Sequence, residues 1–209
     1  MCIRDSLSTA YFAPVSYYAS FLRYDRIVIE QWCNYTKQTY RNRCHIAGAN
    51  GLLALSVPIV KPDTIKCPTK DIRISDHGEW RHLHWNAIAS AYGSSPFFEY
   101  YQDDIRPFFE KRYEFLLDFN EEIRRTVCNL IGIEPHIEYS SSYSEPAPGE
   151  TDLRDAIHPK KRKAETILPV QPKPYYQVFS EKYGFQPDLS IIDLLMNMGP
   201  ESILILQNT

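Results

Sequence analysis

Between Asn34 and Pro58 the chain reads NYTKQTYRNRCHIAGANGLLALSVP, and its first half gathers the side chains best suited to chemistry. Lys37, Gln38, Tyr40, Arg41, Asn42, Arg43 and His45 put cations, amides and aromatic rings almost side by side. Arg41 and Arg43 each carry a rigid fork of donors that matches a carboxylate or a phosphate. Asn42 reads amide or hydroxyl groups, and a tyrosine ring offers a stacking face. The chemistry implied is recognition of an anionic ligand. Lys37, Arg41, Asn42 and Arg43 form the expected ligand site, with Tyr11 and Gln31 beside them if the chain folds as α/β. In an extended segment, residues two apart face one side, so Arg41 and Arg43 are expected to share one space while Asn42 faces away. The plainer alternative is a charged surface strand paired to Asp and Glu.

Three side chains are candidates for catalysis: Glu30, Cys44 and His45. Arg41, Arg43 and His45 around Cys44 would depress its pKa and favour a nucleophilic thiolate. Against this, free cysteines are more often inert core residues. His77, His82 and His84 invite a metal reading, but His82 and His84 stand two apart on an expected helix and diverge. H-E-x-x-H is absent, so no metal site is expected, and no cofactor is indicated. Without G-x-S-x-G, Walker A or G-x-G-x-x-G, the hydrolase, P-loop and Rossmann-fingerprint readings lack support. Further along, Arg154 and Lys160 are expected to close over a bound ligand as part of a lid. The Lys160–Lys163 run is open to two readings, phosphate contact or a solvated loop.

The elements that must position these groups follow from periodicity. Leu7–Ala10 is expected as a first strand, and Val15, Tyr18, Ala19 and Leu22 mark a helix. Pro14 suits its first position. Ile27–Ile29 is a compact buried strand, so the opening is β-α-β, with Leu7–Ala10 and Ile27–Glu30 adjacent and parallel. Ligands in such sheets sit beyond the carboxyl ends of the strands. Met1–Ser6 fits no element and is expected not to be native. Gly48–Gly51 is a turn, and Leu53, Leu55, Val57 and Ile59 form a strand buried on one face. Asp71–Ile74 is an edge strand. Trp80–Tyr92 is a helix with Trp85, Ile88, Ala89 and Tyr92 inward. A helix starts near Asp104, another is capped by Asn120, and Gly132 closes it. Ser190 and Asp193 have capping-box spacing for a last helix. The expected fold class is α/β, a small mostly parallel sheet flanked by helices with an aromatic-rich helical portion. Residues 7–138 are the core, 139–168 a mobile charged loop or linker, and 169–209 a C-terminal segment completing the same domain.

Composition sets outer limits. A formal net charge of -3 gives no electrostatic footprint for nucleic acid. Five cysteines without a C-x-x-C argue against a disulfide scaffold and for a reducing compartment. No apolar run is long enough to span a bilayer, so no membrane insertion and a cytoplasmic location are expected. The abundance of tyrosine suits a sugar or nucleotide pocket, though semi-buried packing accounts for most of it.

Several pieces, in order, resemble the WbqC-like proteins of bacteria. They are Tyr11–Pro14 with Tyr17 and Tyr18, Asp25–Ile29, Tyr35–Arg43, Gly48–Gly51 with Val57 and Pro58, Trp80–Trp85 and Ala91–Tyr92, and Pro96–Phe98. Gly184 and Phe185, Leu189–Leu195 and Gly199 match the closing pattern, and the whole looks like the Bacteroidota branch. Two places depart from the family pattern. Thr9-Ala10-Tyr11 replaces the usual Gln, Pro and aromatic, and Glu30-Gln31 replaces an acidic pair, so one carboxylate of that pair is missing. The resemblance implies an enzyme of surface-polysaccharide (O-antigen) biosynthesis, transferring an acyl or aminoacyl group onto an anionic or nucleotide-linked sugar. The alternative is a non-catalytic sugar- or nucleotide-binding protein of a glycan-synthesis complex. The partner implied is a small-molecule sugar or nucleotide sugar.

Overall fold

The computed structural model describes residues 4–62, 64, 66–145, 150–160 and 172–209. Its elements are, in order, β1 (Arg4–Ser8), α1 (Val15–Arg23), β2 (Arg26–Glu30), β3 (Arg43–Gly48), β4 (Gly51–Ser56), α2 (Trp80–Tyr92), α3 (Phe98–Ile105), α4 (Pro107–Glu110) and α5 (Leu116–Ile131). They are followed by β5 (Ile137–Tyr139), β6 (Thr151–Asp152), α6 (Ser180–Tyr183), α7 (Ile191–Met198) and α8 (Ser202–Gln207). Four strands form one sheet in the order β5-β2-β1-β6, every pair parallel. The second sheet is the antiparallel β3–β4 hairpin. The fold is therefore mixed α/β, as the sequence predicts, and β1 and β2 are adjacent and parallel with Leu7 opposite Ile29.

Ile27, Val28 and Ile29 are all buried, which is why β2 reads as a continuous apolar run rather than an alternating one. Between β1 and α1 the chain turns through Tyr11–Pro14, with Phe12 at φ 38. A phenylalanine in that region costs about 1–3 kcal/mol and persists only where its surroundings hold it. Here the Phe12 ring stacks on Phe109, and the Phe12 carbonyl accepts from Ser190 Oγ at 2.7 Å. Tyr11, Trp80, His84, Phe108, Phe109 and Phe119 complete a buried aromatic cluster between α2, α4 and α5. The N-terminus of α1 is capped from a distance, because Ser16 N–H donates to Asp188 Oδ1 at 2.9 Å.

Several local expectations change in three dimensions. Arg4–Ser6, expected outside any element, belong to β1. Leu22 is exposed, because Tyr17 and Phe21 rather than Leu22 complete the buried face of α1. Pro14 stands one residue before the helix rather than in its first position. Leu53 is exposed, although Ile46, its partner across the hairpin, is buried. In place of an edge strand at Asp71–Ile74 there is a short 3-10 turn followed by single bridges from Arg73 and Ile74. The helix expected near Asp104 starts at Phe98 and gives way to α4 at Pro107. Asn120 is interior to α5, which begins at Leu116, while Gly132 ends that helix at φ 79 as expected. Ser190 caps α7, but Asp193 turns inward instead of completing a capping box. The charged stretch after residue 139 contributes β6 to the sheet edge and buries Leu153 and Ile157. Lys161–Lys163 of the basic run lie outside the described residues.

Candidate functional site

From β1 the chain crosses through α1 to β2 on one side, and β6 pairs with β1 on the other. Strand order thus reverses at β1, and the crevice beyond the carboxyl ends of β1 and β6 is where open α/β sheets bind ligands. Ser8, Thr9, Thr39, Arg41, Leu153 and Arg154 line it. Arg41 is 4% exposed. Its Nη2 donates to Ser8 Oγ at 2.7 Å and reaches Cys33 Sγ at 3.4 Å, and its Nη1 reaches Thr39 Oγ1 at 3.4 Å. No ion pair among the described residues includes Arg41, and its Nε has no hydrogen-bond partner there. The backbone around it is fixed from both sides. Tyr11 N–H donates to Tyr40 O at 2.9 Å, and Asn120 Nδ2 donates to Arg41 O at 2.8 Å.

A larger cavity of about 530 Å³ adjoins the other side of the same segment. Arg43 and His45 line it, together with Gln38, Lys160 and the apolar Phe185. Arg43 and His45 are alternate residues of β3, so both side chains leave the same face while Cys44 turns to the core. Arg43 Nε donates to Ser56 Oγ across the hairpin at 2.9 Å. The two cavities share their walls: one from Gln38 to His45, the other from Leu153 to Lys160.

The structure separates the expected site residues into groups. Arg41 and Arg154 meet at the crevice, and Arg43, His45 and Lys160 at the larger cavity. Arg41 and Arg43 do not share one space, because Arg41 lies in a turn that follows Gln38 at φ 62 and the extended backbone starts only at Arg43. Asn42 does face elsewhere, donating from Nδ2 to Val57 O at 2.9 Å. Tyr11 is sealed in the core with its hydroxyl on His84 Nδ1 at 2.9 Å. Gln31 donates from Nε2 to Ser140 O at 2.7 Å, and Lys37 is exposed in the turn. Arg154 is held by both carboxylate oxygens of Asp152, at 2.9 and 2.7 Å.

The three catalytic candidates fare differently. Glu30 is buried, and its Oε1 accepts from Trp32 N–H, Cys33 N–H and Ser140 Oγ at 2.7, 3.2 and 3.0 Å, which shapes the turn after β2. Cys44 is 1% exposed, and burial pushes its thiol pKa well up, against the depression expected from its cationic neighbours. Those neighbours point away from it, so desolvation decides. Of the three, His45 lines the larger cavity, and neither Glu30 nor Cys44 lines either of the two cavities described above. Sequence reasoning missed Ser8, Thr9 and Asn120. Asn120 did carry a signal, an amide within the apolar stripe of a helix.

The family model of the WbqC-like proteins matches residues 9–205. The chain belongs to the WbqC-like protein family. A relative, the uncharacterized protein Rv1507c of Mycobacterium tuberculosis, is 25% identical over 214 residues, covering 92% of this chain and 89% of the relative. No solved structure matches the chain. In this WbqC-like fold the opening and closing motif pieces meet: Val15 N–H donates to Leu189 O and Ile191 N–H to Ala13 O, at 3.0 and 2.8 Å. Glu30 and Gln31, at the end of β2 and just after it, both hydrogen-bond Ser140. Among the described residues no cluster of His, Cys, Asp and Glu is placed to hold a metal ion, and no helix is long and apolar enough to cross a membrane.

Proposed function

We propose that this WbqC-like protein is a group transferase of bacterial surface-polysaccharide synthesis, moving an acyl or aminoacyl group onto an anionic or nucleotide-linked sugar. The observation that carries this reading is the placement of Arg43 and His45 on one face of β3 in a single cavity that also holds Lys160. At about 530 Å³ the cavity is of the size that small-molecule sites take. Arg43 and Lys160 supply charge for a phosphate or carboxylate, and Phe185 offers an apolar wall for a sugar face or a base. An amine or hydroxyl that attacks an acyl carbon must lose its proton, and imidazole exchanges protons near neutrality. His45 is thereby the general base of the proposed reaction. The polysaccharide setting comes from the family resemblance.

The test is a thermal-shift panel of nucleotide sugars, sugar phosphates and acyl-coenzyme A donors, followed by mass spectrometry of incubated donor–acceptor pairs. A nucleotide sugar or sugar phosphate should raise the melting temperature, and His45→Gln should bind it while losing turnover. A panel with no hit, or wild-type turnover in His45→Gln, would sink the reading. The withdrawal of Glu30 and Cys44 into structural roles favours a second reading, a non-catalytic binding protein. It expects the same hit with no product from any donor.

A further inference from the structure

We propose that the crevice between β1 and β6 is a second anion site, an oxyanion subsite in which Arg41 and Thr9 receive a phosphate or carboxylate group. Arg41 is buried, paired with no carboxylate among the described residues, and its Nε–H is unpartnered. Taking a guanidinium out of water without a counter-charge is costly, and an arriving anion offsets that cost. Thr9 is 0% exposed, lines the same crevice, and its Oγ1 also has no partner among the described residues. Two orphaned polar groups in one place are rare in a native fold and mark a ligand or water that completes them. Ser8, Cys33 and Thr39 engage the two terminal nitrogens and fix the guanidinium plane, leaving the Nε–H for the ligand. The location is the strand-order reversal, so chain topology and the orphaned donors point to the same spot.

In this structure the crevice is closed to about 10 Å³, about the room of one water. An oxyanion therefore enters as the Leu153–Ile157 wall draws back. That wall hangs on β6, an edge strand of two residues, and on Leu153 N–H to Ser6 O at 3.0 Å. The same wall continues to Lys160 on the larger cavity, so an anion in the crevice resets that cavity as well. The group arrives either as a free ion or as the end of a sugar phosphate. Oxyanion binding in the crevice can hold while the transferase reading fails, and the reverse.

The experiment is isothermal titration of the full chain with inorganic phosphate and, separately, with a hexose 1-phosphate, alongside hydrogen exchange of residues 150–157. At least one of the two should bind and change exchange in that segment. Arg41→Lys should weaken binding roughly tenfold or more. Thr9→Val should weaken it several-fold while melting at or above wild type in anion-free buffer, because it deletes an orphaned hydroxyl. Lys111→Gln, at an exposed lysine paired to Glu122 and on neither cavity, should leave phosphate binding unchanged. Tighter binding of the hexose 1-phosphate supports the subsite with the anion delivered on a sugar, and equal binding supports a free ion. Should Arg41→Lys not fold, Thr9→Val decides. The proposal is overturned if neither probe binds at millimolar concentration, or if Thr9→Val binds as wild type does.

Discussion

Asn120 reaches out of α5 and donates its Nδ2 hydrogen to the backbone carbonyl of Arg41 at 2.8 Å, both residues being buried. A helix interior thereby fixes the turn that aims the guanidinium. Asn120→Ala would leave that carbonyl unsatisfied, at a cost of about 1–3 kcal/mol. The expected result is a lower urea midpoint together with weaker phosphate binding, although the Arg41 side chain is untouched. Wild-type affinity in a destabilised Asn120→Ala would show that the contact is structural alone.

Arg43 lies half-buried on the larger cavity with its Nε on Ser56 Oγ. Lysine would keep the charge and lose the fork. Arg43→Lys should melt close to wild type and bind the sugar ligand roughly tenfold less tightly or worse, about 1.4 kcal/mol or more. Calorimetric titration with the ligand found by the thermal-shift panel measures it.

Cys44 should behave as a core residue. Its thiol is sealed and its pKa is pushed up by desolvation. Alkylation at mildly alkaline pH, followed by peptide mass spectrometry, should leave Cys44 unmodified in the folded protein and modify it in denaturant. Cys44→Ala should retain ligand binding. Rapid native labelling at Cys44 would reopen the nucleophile reading.

His84 gives stability a pH dependence. Burial holds its pKa down at about 4, against an ordinary 6.5. Between those values the unfolded chain binds more protons than the folded one. The stability from neutral His84 is therefore complete above about pH 6.5 and is lost as pH falls toward about 4, by at most about 3 kcal/mol. Urea midpoints across this window should drop in wild type and flatten in His84→Gln. Equal slopes in both proteins would assign the acid limb to other groups.

Asp188 caps α1 from the far end of the chain, and its own φ is 54. Asp188→Ala removes the acceptor for Ser16 N–H and puts alanine in a left-handed conformation, so a loss of about 1–2 kcal/mol is expected. Asparagine keeps an acceptor and tolerates that backbone. Chemical denaturation should therefore rank Asp188→Asn close to wild type and well above Asp188→Ala.

The sequence by itself determined the β1–α1–β2 opening, the limits of α2, the left-handed end of α5 at Gly132, and the segment that carries the cations. These follow from short-range rules: apolar periodicity, glycine's access to positive φ, and the donor chemistry of arginine. The division of labour inside that segment was decided only by the tertiary structure. Arg41 and Arg43 part company because a turn intervenes, pinned by Tyr11 and Asn120 from elements distant in sequence. Cys44 became inert and Glu30 a turn cap because burial and backbone donors reached them from the rest of the fold. β6 joined β1 across more than half the chain, and that pairing creates the crevice. Local patterns give each residue's period and propensity, whereas the face it turns to and the charge it meets are set by long-range pairing, which a single strand of sequence does not encode locally.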